Sequence, residues 1–325
     1  MLWLVVGAVG FLCVACASTE EPQVRFDEGR YQQILERQKA GLTVQDGLSD
    51  KLPKMTADDF ERLGDTHFEQ GNLTLALLQY NKALEGNSSR ASALYKRGLV
   101  FLKERRWREA ASQFRETMKS EPKSSLAHEG LGYANFQLGQ DGSAEEALRQ
   151  AIALDATRWQ AHNFLGLVYD RQRRYRDAIA EYQAALALQP GEPSVSNNLG
   201  LAYHLDGQYD AAVDAFQQAL RTGSNNPKIY NNLGLAYAKL ERYPEALEAF
   251  KKAAEESQAY NNLGMVFLGT GNAPQAIACF EKAMELHPRY YAVAAENLAQ
   301  AQRLLGNHSS SPGPRTGEQA ATSCP

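Results

Sequence analysis

The sequence predicts an all-α fold, a solenoid built from packed pairs of helices. Glycines recur along the chain, each 34 residues after the last. The phrase Tyr-Asn-Asn-Leu-Gly occurs at residues 230–234 and again at 260–264, and residues 196–200 repeat it with serine in the first place. Self-similarity with this period is typical of helix-turn-helix arrays, which bury their core between neighbouring repeats. The glycines that mark the period are Gly64, Gly98, Gly132, Gly166, Gly200 and Gly234.

Each repeat contains two amphipathic helices, termed helix A and helix B. When Gly64 is counted as the eighth residue of its repeat, positions 4, 7, 8 and 11 share one stripe of helix A. Position 11 is usually aromatic, as in Tyr237, and the glycine at position 8 lets a neighbouring helix approach closely. Helix B has a small residue at position 20 and a bulky one at position 24, as in Ala246 and Phe250.

Seven repeats follow in this register. They are predicted at residues 57–90, 91–124, 125–158, 159–192, 193–226, 227–256 and 257–290.

The pattern resembles the tetratricopeptide repeat (TPR) family, whose repeat reads aromatic, Leu-Gly, Tyr, then Ala, aromatic, Ala and a closing Pro. Pro122, Pro190 and Pro288 match the closing position. The resemblance implies a right-handed superhelical solenoid of TPR helix pairs. Such arrays need a capping element, and residues 291–306 read as an amphipathic capping helix. Residues 307–325 are rich in Ser, Pro and Gly, so we expect a disordered tail.

One repeat is shorter than the others, because Gly264 follows Gly234 by 30 residues rather than 34. The missing four residues correspond to about one helical turn. We therefore expect Asn231 and Asn261 to lie closer together than the equivalent residues of other repeats, and the alternative is a neutral deletion that the stack absorbs. Three further residues depart from the TPR pattern, because they are polar at positions where the other repeats have packed apolar residues. They are Arg97, Asn135 and Ser196.

Residues 1–16 read as an export signal. Their apolar run is long enough for the core of a signal peptide but shorter than the ~20 residues that a spanning helix needs. Val14-Ala15-Cys16 resembles the end of a bacterial lipobox, which implies lipidation of Cys16, and Ala17 implies sorting to the outer membrane, facing the periplasm. Two alternatives stay open, a soluble exported protein cleaved within Ala15-Cys16-Ala17 and an uncleaved anchor in the inner membrane. Residues 17–56 are predicted to form a tether that can include a short helix.

The sequence contains no signal for catalysis, a cofactor or a metal. None of the six histidines lies three or four residues from another His or from a Cys. The four cysteines do not form a disulfide framework, and we expect Cys279 to be a packed or half-exposed thiol. The net charge of −4 gives no reason to expect nucleic acid. We therefore predict a protein that is not an enzyme and has no small-molecule substrate.

In TPR arrays helix A lines a concave groove, and the resemblance implies that positions 5, 6 and 9 face it. Positions 5 and 6 form a ladder of amides in repeats four to seven. An amide offers donors and an acceptor, so the ladder can bind the backbone of an extended peptide. Asparagine at position 6 can instead serve local hydrogen bonds. The ladder residues are Asn163, Asn197, Asn198, Asn231, Asn232, Asn261 and Asn262.

Position 9 is apolar along the same repeats. Apolar side chains in a groove mark a contact surface, although packing against the next helix A would also explain them. Position 5 never has Lys and position 9 never has Asn, which argues against the charge clamp that holds chaperone C-termini. The position 9 residues predicted to line the groove are Leu167, Leu201, Leu235 and Met265.

These features together predict a membrane-tethered TPR scaffold that binds a protein or peptide segment in its groove. The chain resembles the TPR lipoproteins of bacterial pilus assembly, especially those of the tight-adherence (Flp) system. That resemblance implies a secretin, a pilus-assembly protein or another envelope component as partner. The alternative is a regulatory subunit or non-catalytic relative of a TPR-containing glycosyltransferase.

Overall fold

The computed structural model describes residues 55–286, 292–308 and 323–325. Within these ranges the chain forms fifteen helices and no strand, as the sequence predicts for an all-α fold. The described residues group into two compact units, an N-terminal unit that ends at Arg174 and a C-terminal unit that begins at Tyr175.

The N-terminal unit contains seven helices, and each helix packs on the next one in sequence. Its core contains Tyr80 and Phe114, both almost fully buried. The helices are α1 (Ala57–Glu69), α2 (Leu73–Leu84), α3 (Ala91–Lys103), α4 (Trp107–Ser120), α5 (Ser125–Gln137), α6 (Asp141–Leu154) and α7 (Trp159–Arg171).

The C-terminal unit contains eight helices with the same consecutive packing. Its core contains Phe216, Phe250 and Phe280, which are all fully buried. The helices are α8 (Tyr175–Leu188), α9 (Pro193–Leu205), α10 (Tyr209–Arg221), α11 (Pro227–Lys239), α12 (Tyr243–Ala253), α13 (Glu256–Gly269), α14 (Ala273–Leu286) and α15 (Ala292–His308).

The glycines at position 8 are close-contact sites between helices A and B. A Cβ added at Gly234 would lie 2.5 Å from Cε1 of Phe250, and one added at Gly98 would lie 2.6 Å from Cε1 of Phe114. Any larger residue would therefore overlap the buried ring unless the ring moved. Gly130 was not singled out from the sequence, yet its Cβ would also lie 2.6 Å from the ring of Phe114, at Cζ.

Each helix A ends in a turn whose second residue has a left-handed conformation. In repeat two, Arg105 (φ 57°) is that residue, and the amide of Arg106 donates to the carbonyl of Phe101 at 2.8 Å. This is the Schellman arrangement, which satisfies carbonyls at a helix end. The residues that occupy the left-handed place in the seven repeats are Gly71, Arg105, Gly139, Arg173, Gly207, Glu241 and Gly271.

These turns alternate between two types. The odd-numbered repeats have glycine in the left-handed place, whereas the even-numbered repeats have Arg or Glu there. In the even-numbered repeats the following residue is an arginine that lies over the aromatic ring at position 11. The guanidinium carbon lies 4.5 Å from the ring centroid for Arg106 over Phe101, 4.1 Å for Arg174 over Tyr169 and 4.6 Å for Arg242 over Tyr237. A cation–π contact therefore accompanies each non-glycine turn.

The capping helix α15 extends from Ala292 to His308, slightly beyond the predicted 291–306. It packs on α14. The prediction that Cys279 is a packed or half-exposed thiol is wrong, because Cys279 forms a disulfide with Cys324, with the two Cα atoms 4.9 Å apart. The last residues of the predicted disordered tail, 323–325, are thus held against the last repeat. Cys279 is fully buried there.

The predicted signal, lipidation site and tether, residues 1–54, lie outside the described residues. Among the helices that are described, none has the length and apolar character required to cross a membrane.

Candidate functional site

The amide ladder of the C-terminal unit is a hydrogen-bonded network. The Nδ2 of Asn232 donates to Oδ1 of Asn197 at 3.2 Å, and that of Asn262 donates to Oδ1 of Asn231 at 3.5 Å. Position 6 of one repeat therefore donates to position 5 of the preceding repeat. The local hydrogen-bonding role considered for position 6 is present in the structure, and position 5 provides the acceptor.

The ladder continues into the capping helix. Nδ2 of Asn297 donates to Oδ1 of Asn261 at 2.9 Å. Sequence analysis missed Asn297 because α15 was read only as an amphipathic cap. When Ala292 is aligned with the first residue of a helix A, Asn297 falls at position 6, and that register was the available signal.

The network leaves part of each amide available. Each bond uses one lone pair of a position 5 oxygen and one N–H of a position 6 amide. The Nδ2 groups of Asn197 and Asn231 and the Oδ1 groups of Asn232 and Asn262 have no partner among the described residues. All four side chains are half-buried. Each of these two hydrogen-bonded pairs, Asn197 with Asn232 and Asn231 with Asn262, therefore presents one unused donor and one unused acceptor.

The shortened repeat does not disturb this pattern. The bond across the shortened junction, from Asn262 to Asn231, measures 3.5 Å, compared with 3.2 Å across the full-length junction before it. This bond joins Asn262 to Asn231, so the expected closer approach of Asn231 and Asn261 stays a prediction. The shortened segment is α12, which ends at Ala253, and α13 begins soon after it at Glu256.

The predicted apolar residues of this unit are partly buried. Leu201, Leu235 and Met265 pack against the core of the C-terminal unit and keep part of their surface accessible. Packing thus accounts for a portion of each side chain. The remaining surface is available for contact.

Asn163 and Leu167 lie in the N-terminal unit, where Asn163 is 8% exposed and Leu167 is half-buried. Position 5 is a glutamate in repeats one and three of this unit and a tyrosine, Tyr95, in repeat two. Oε2 of Glu129 accepts from Nε of Arg158 at 3.0 Å, and Oε1 of Glu129 accepts from Nη2 of Arg158 at 2.8 Å. Glu61 accepts from Nε of Arg90, and Nη2 of Arg90 contacts Asp58 instead. Sequence analysis missed both pairs, although the same 29-residue spacing in repeats one and three signalled them.

Glu61 is the centre of a larger charged cluster. Besides Arg90, its carboxylate accepts from the hydroxyl of Ser92 at 2.8 Å and lies 3.2 Å from Nζ of Lys96, which also contacts Asp65 at 2.7 Å. Burial alone would raise the pKa of Glu61, but the hydrogen bonds from Arg90, Ser92 and Lys96 hold it below its ordinary value. The carboxylate therefore stays ionised within the fold.

The N-terminal unit also presents aromatic rings on helix A. Tyr133 stacks on Phe164 with centroids 4.5 Å apart, and Trp107 meets Tyr133 edge-on at 6.1 Å. Arg171 lies 3.9 Å from the centroid of Phe136. The helix A surface of this unit is therefore ionic and aromatic, whereas that of the C-terminal unit is amide and aliphatic.

Within the described ranges no cluster of three or more His, Cys, Asp and Glu side chains is arranged to hold a metal ion.

Comparisons with known proteins agree with the repeat architecture. Residues 30–263, well over half of the chain, match the family described as "Cilia and flagella-associated protein 70 C-terminal domain". Residues 255–311 match a family described as "Tetratricopeptide repeat". Over 120 residues, 37% of this chain, the sequence is 31% identical to Heat shock protein STI1 of Saccharomyces cerevisiae. The match spans only 20% of that relative's length.

Solved structures share the fold at low identity. The C-terminal part of a TPR repeat-containing protein from Cytophaga hutchinsonii matches with a TM-score of 0.56 and 19% identity, covering 73% of this chain and 98% of that one. PilF of Pseudomonas aeruginosa matches with a TM-score of 0.51 and 20% identity, covering 67% and 99%. At these identities the likeness shows the fold alone.

The 34-residue period, the packed helix pairs and the family matches lead to one conclusion. The chain belongs to the tetratricopeptide repeat proteins, which are protein-interaction scaffolds, and among them to the family described as the Cilia and flagella-associated protein 70 C-terminal domain.

Proposed function

We propose that this chain is a non-catalytic scaffold whose amide ladder binds the main chain of an extended partner segment. One observation carries the proposal. After the ladder has formed its own bonds, Asn197 and Asn231 retain free Nδ2 donors and Asn232 and Asn262 retain free Oδ1 acceptors.

This arrangement matches the chemistry of a peptide backbone. Each residue of an extended chain offers one N–H and one C=O, and each hydrogen-bonded pair of the ladder offers one acceptor and one donor. Because backbone groups are common to all residues, binding of this kind makes few demands on sequence. The exposed portions of Leu201, Leu235 and Met265 then favour a segment with regularly spaced apolar side chains.

The test uses Asn197→Asp together with Asn231→Asp. Aspartate retains an oxygen that accepts the bonds from Asn232 and Asn262, but it replaces the free Nδ2 donors by acceptors. We expect unchanged thermal stability and a loss of ~1 kcal/mol of binding for each lost hydrogen bond, about thirtyfold in total.

The partner is identified and titrated in the same experiment. Proteins captured from detergent-solubilised membranes on the immobilised wild-type chain are identified by mass spectrometry, and the purified partner is titrated against both forms. Equal affinity of the two forms would refute backbone binding by the ladder. A lowered melting temperature would show that the ladder serves stability instead.

We further propose that the scaffold is exported and anchored to the outer membrane through lipidated Cys16, facing the periplasm. The lipobox-like residues before Cys16 support this, and so does the disulfide between Cys279 and Cys324, because such bonds persist in oxidising compartments such as the periplasm. A partner in pilus or secretion assembly is the corresponding expectation from the sequence resemblance.

Replacing Cys16 by Ser tests the anchor. The wild-type chain should incorporate labelled lipid and sediment with membranes, and Cys16→Ser should do neither. If Cys16→Ser remains in the membrane fraction, the uncleaved anchor replaces the lipid as the tether. If the wild type carries no lipid and is soluble, the signal is an ordinary cleaved one.

A further inference from the structure

A cleft lies on the helix B side of repeats five and six, within the C-terminal unit. It has a volume of about 630 Å³ and is bounded by α10, α11 and α12. Its lining includes Leu220 of α10, Leu233 and Tyr230 of α11 and Ala249 of α12. Helix B residues line most of it, so the cleft is distinct from the amide ladder, which is built from helices A.

The equivalent cleft one repeat further along already contains a segment of this chain. Counting 30 residues onward, Cys279 takes the place of Ala249, and there Cys324 is bonded to it. Ser323 and Cys324 line that cleft. Tyr260 and Lys282, which also line it, are the counterparts of two residues of the first cleft, Tyr230 and Lys252. The fold thus seats a non-helical segment at this type of site.

The cleft of repeats five and six has a basic end. Helices α10 and α12 run in the same direction, because each is joined to α11 by a short turn. Arg221 and Lys252, near their C-terminal ends, therefore lie at the same end of the cleft. Both are exposed, and neither forms an ion pair among the described residues. Nζ of Lys252 lies 5.9 Å from the centroid of the Tyr230 ring.

The acidic residues of the cleft are already paired. Glu245 contacts Arg242 at 2.9 Å, and Glu248 lies 3.5 Å from Lys251. Glu245 is also seven residues before Lys252, about 10 Å along the helix. Arg221 and Lys252 are therefore the charged residues of the cleft lining that form no ion pair within the described chain, and both lie at one end.

We propose that this cleft is a second protein-binding site, which takes a non-helical segment of a partner protein. The segment places a small apolar side chain over Ala249, just as Cys324 lies against Cys279 in the next repeat. It also places a carboxylate between Arg221 and Lys252. The apolar floor provides the buried contact. The two cations select an acidic segment.

Disulfide trapping tests this proposal with a matched control. Ala249→Cys places a thiol where Cys279 stands in the next repeat. Ala215→Cys places one at the same position of repeat five, where Ala187 and Gln218 stand in place of the two cations. Ala215 and Ala249 are both 5% exposed. Both variants are made in the full chain with Cys279→Ala and Cys324→Ala, so that the native disulfide does not compete.

Each variant is incubated in a glutathione redox buffer with two blocked peptides that contain Thr-Ser-Cys, one flanked by Glu and the other by Lys. Mass spectrometry with peptide mapping gives the ratio of adducts at the introduced thiol. With Ala249→Cys we expect the acidic peptide to be captured about tenfold more than the basic one, the factor for ~1.4 kcal/mol from two exposed ion pairs. With Ala215→Cys the ratio should be close to one.

Adding Arg221→Glu and Lys252→Glu to Ala249→Cys should reverse the preference. Equal ratios at the two thiols, or a preference for the basic peptide at both, would overturn the proposal. If Ala249→Cys melts below the control, polarisation titration of the unmodified chain with a labelled acidic Thr-Ser-Ala peptide decides instead. Binding that Arg221→Glu and Lys252→Glu abolish supports the cleft, and absence of binding refutes it. Neither outcome depends on the amide ladder.

Discussion

The packing of Phe114 between two glycines predicts that Gly130→Ala destabilises the N-terminal unit. The added Cβ would lie 2.6 Å from Cζ of Phe114, whereas ordinary contacts between carbons are about 3.5–4.0 Å. The ring is fully buried, and Gly98 lies against its Cε1 atom, so it has little room to move away. Overpacking of this kind costs ~1–3 kcal/mol, and the confined ring places this site at the upper end of that range. Because alanine regains ~1 kcal/mol of helix propensity, we expect a net loss of ~2 kcal/mol.

Gly142→Ala is the matched control, because Gly142 also lies in a helix but a Cβ added there would have no neighbour within 4 Å. It should stabilise the chain by up to ~1 kcal/mol. Urea titration followed by circular dichroism gives the overall change. Hydrogen exchange of the α4 and α5 amides gives the local change, which matters because repeat arrays need not unfold in one step.

A double-mutant cycle identifies the ring as the cause. Gly130 faces the Cζ, Cε1 and Cε2 atoms of Phe114, which leucine lacks. In the Phe114→Leu background, Gly130→Ala should therefore cost at least ~1 kcal/mol less than in the wild type. The reasoning is refuted if Gly130→Ala is as stable as the wild type, or if its cost is the same in both backgrounds.

Four further predictions follow from the described contacts. Ser196→Ala should raise the unfolding free energy by ~1 kcal/mol in urea titration, because its buried hydroxyl has no hydrogen-bond partner in the described chain. Glu241→Gly should raise the unfolding free energy by ~0.5–1 kcal/mol, and with it the melting temperature, because glycine adopts the left-handed conformation (φ 59°) without strain. Gly207→Ala (φ 82°) should lower both. Cys324→Ser should lower the stability of the C-terminal unit by up to ~4 kcal/mol in the same titration, because the disulfide closes a loop with a sequence separation of 45, and dithiothreitol should then have no further effect. The folded-state pKa of Glu61 lies below its ordinary 4.5, so the contribution of Glu61 to the unfolding free energy is complete above pH 4.5 and is lost as the pH falls through the lowered value. Glu61→Gln should therefore make the unfolding free energy depend less on pH in this acidic range, as measured by urea titration at several pH values.

The contacts that recur in every repeat were predictable from the sequence. Glycine at position 8 and the bulky residue at position 24 recur with the same spacing, and a close contact was the physical reason for the small residue. The structure confirms it at Gly234 and Phe250. The helix pairs follow from the same pattern, because within each unit every helix packs against its neighbours in sequence.

The contacts that occur once were not predictable. The pairing of Cys279 with Cys324 joins the last helix B to the chain terminus, and no sequence spacing specifies such a partner. Asn297 extends the amide ladder from a helix that lacks the repeat's glycine, with Ala299 at position 8. The predicted groove residues stay a prediction, although the bonds of Asn231 show how the ladder is built.

The two types of turn determine how this array can be cut and rejoined. Arg106, Arg174 and Arg242 are each 68 residues apart, which is two repeats rather than one. A chimera that exchanges single repeats would place two turns of the same type in successive repeats, an order that this chain does not contain. Blocks of two repeats preserve both turns, so the recombination module of this protein is the pair.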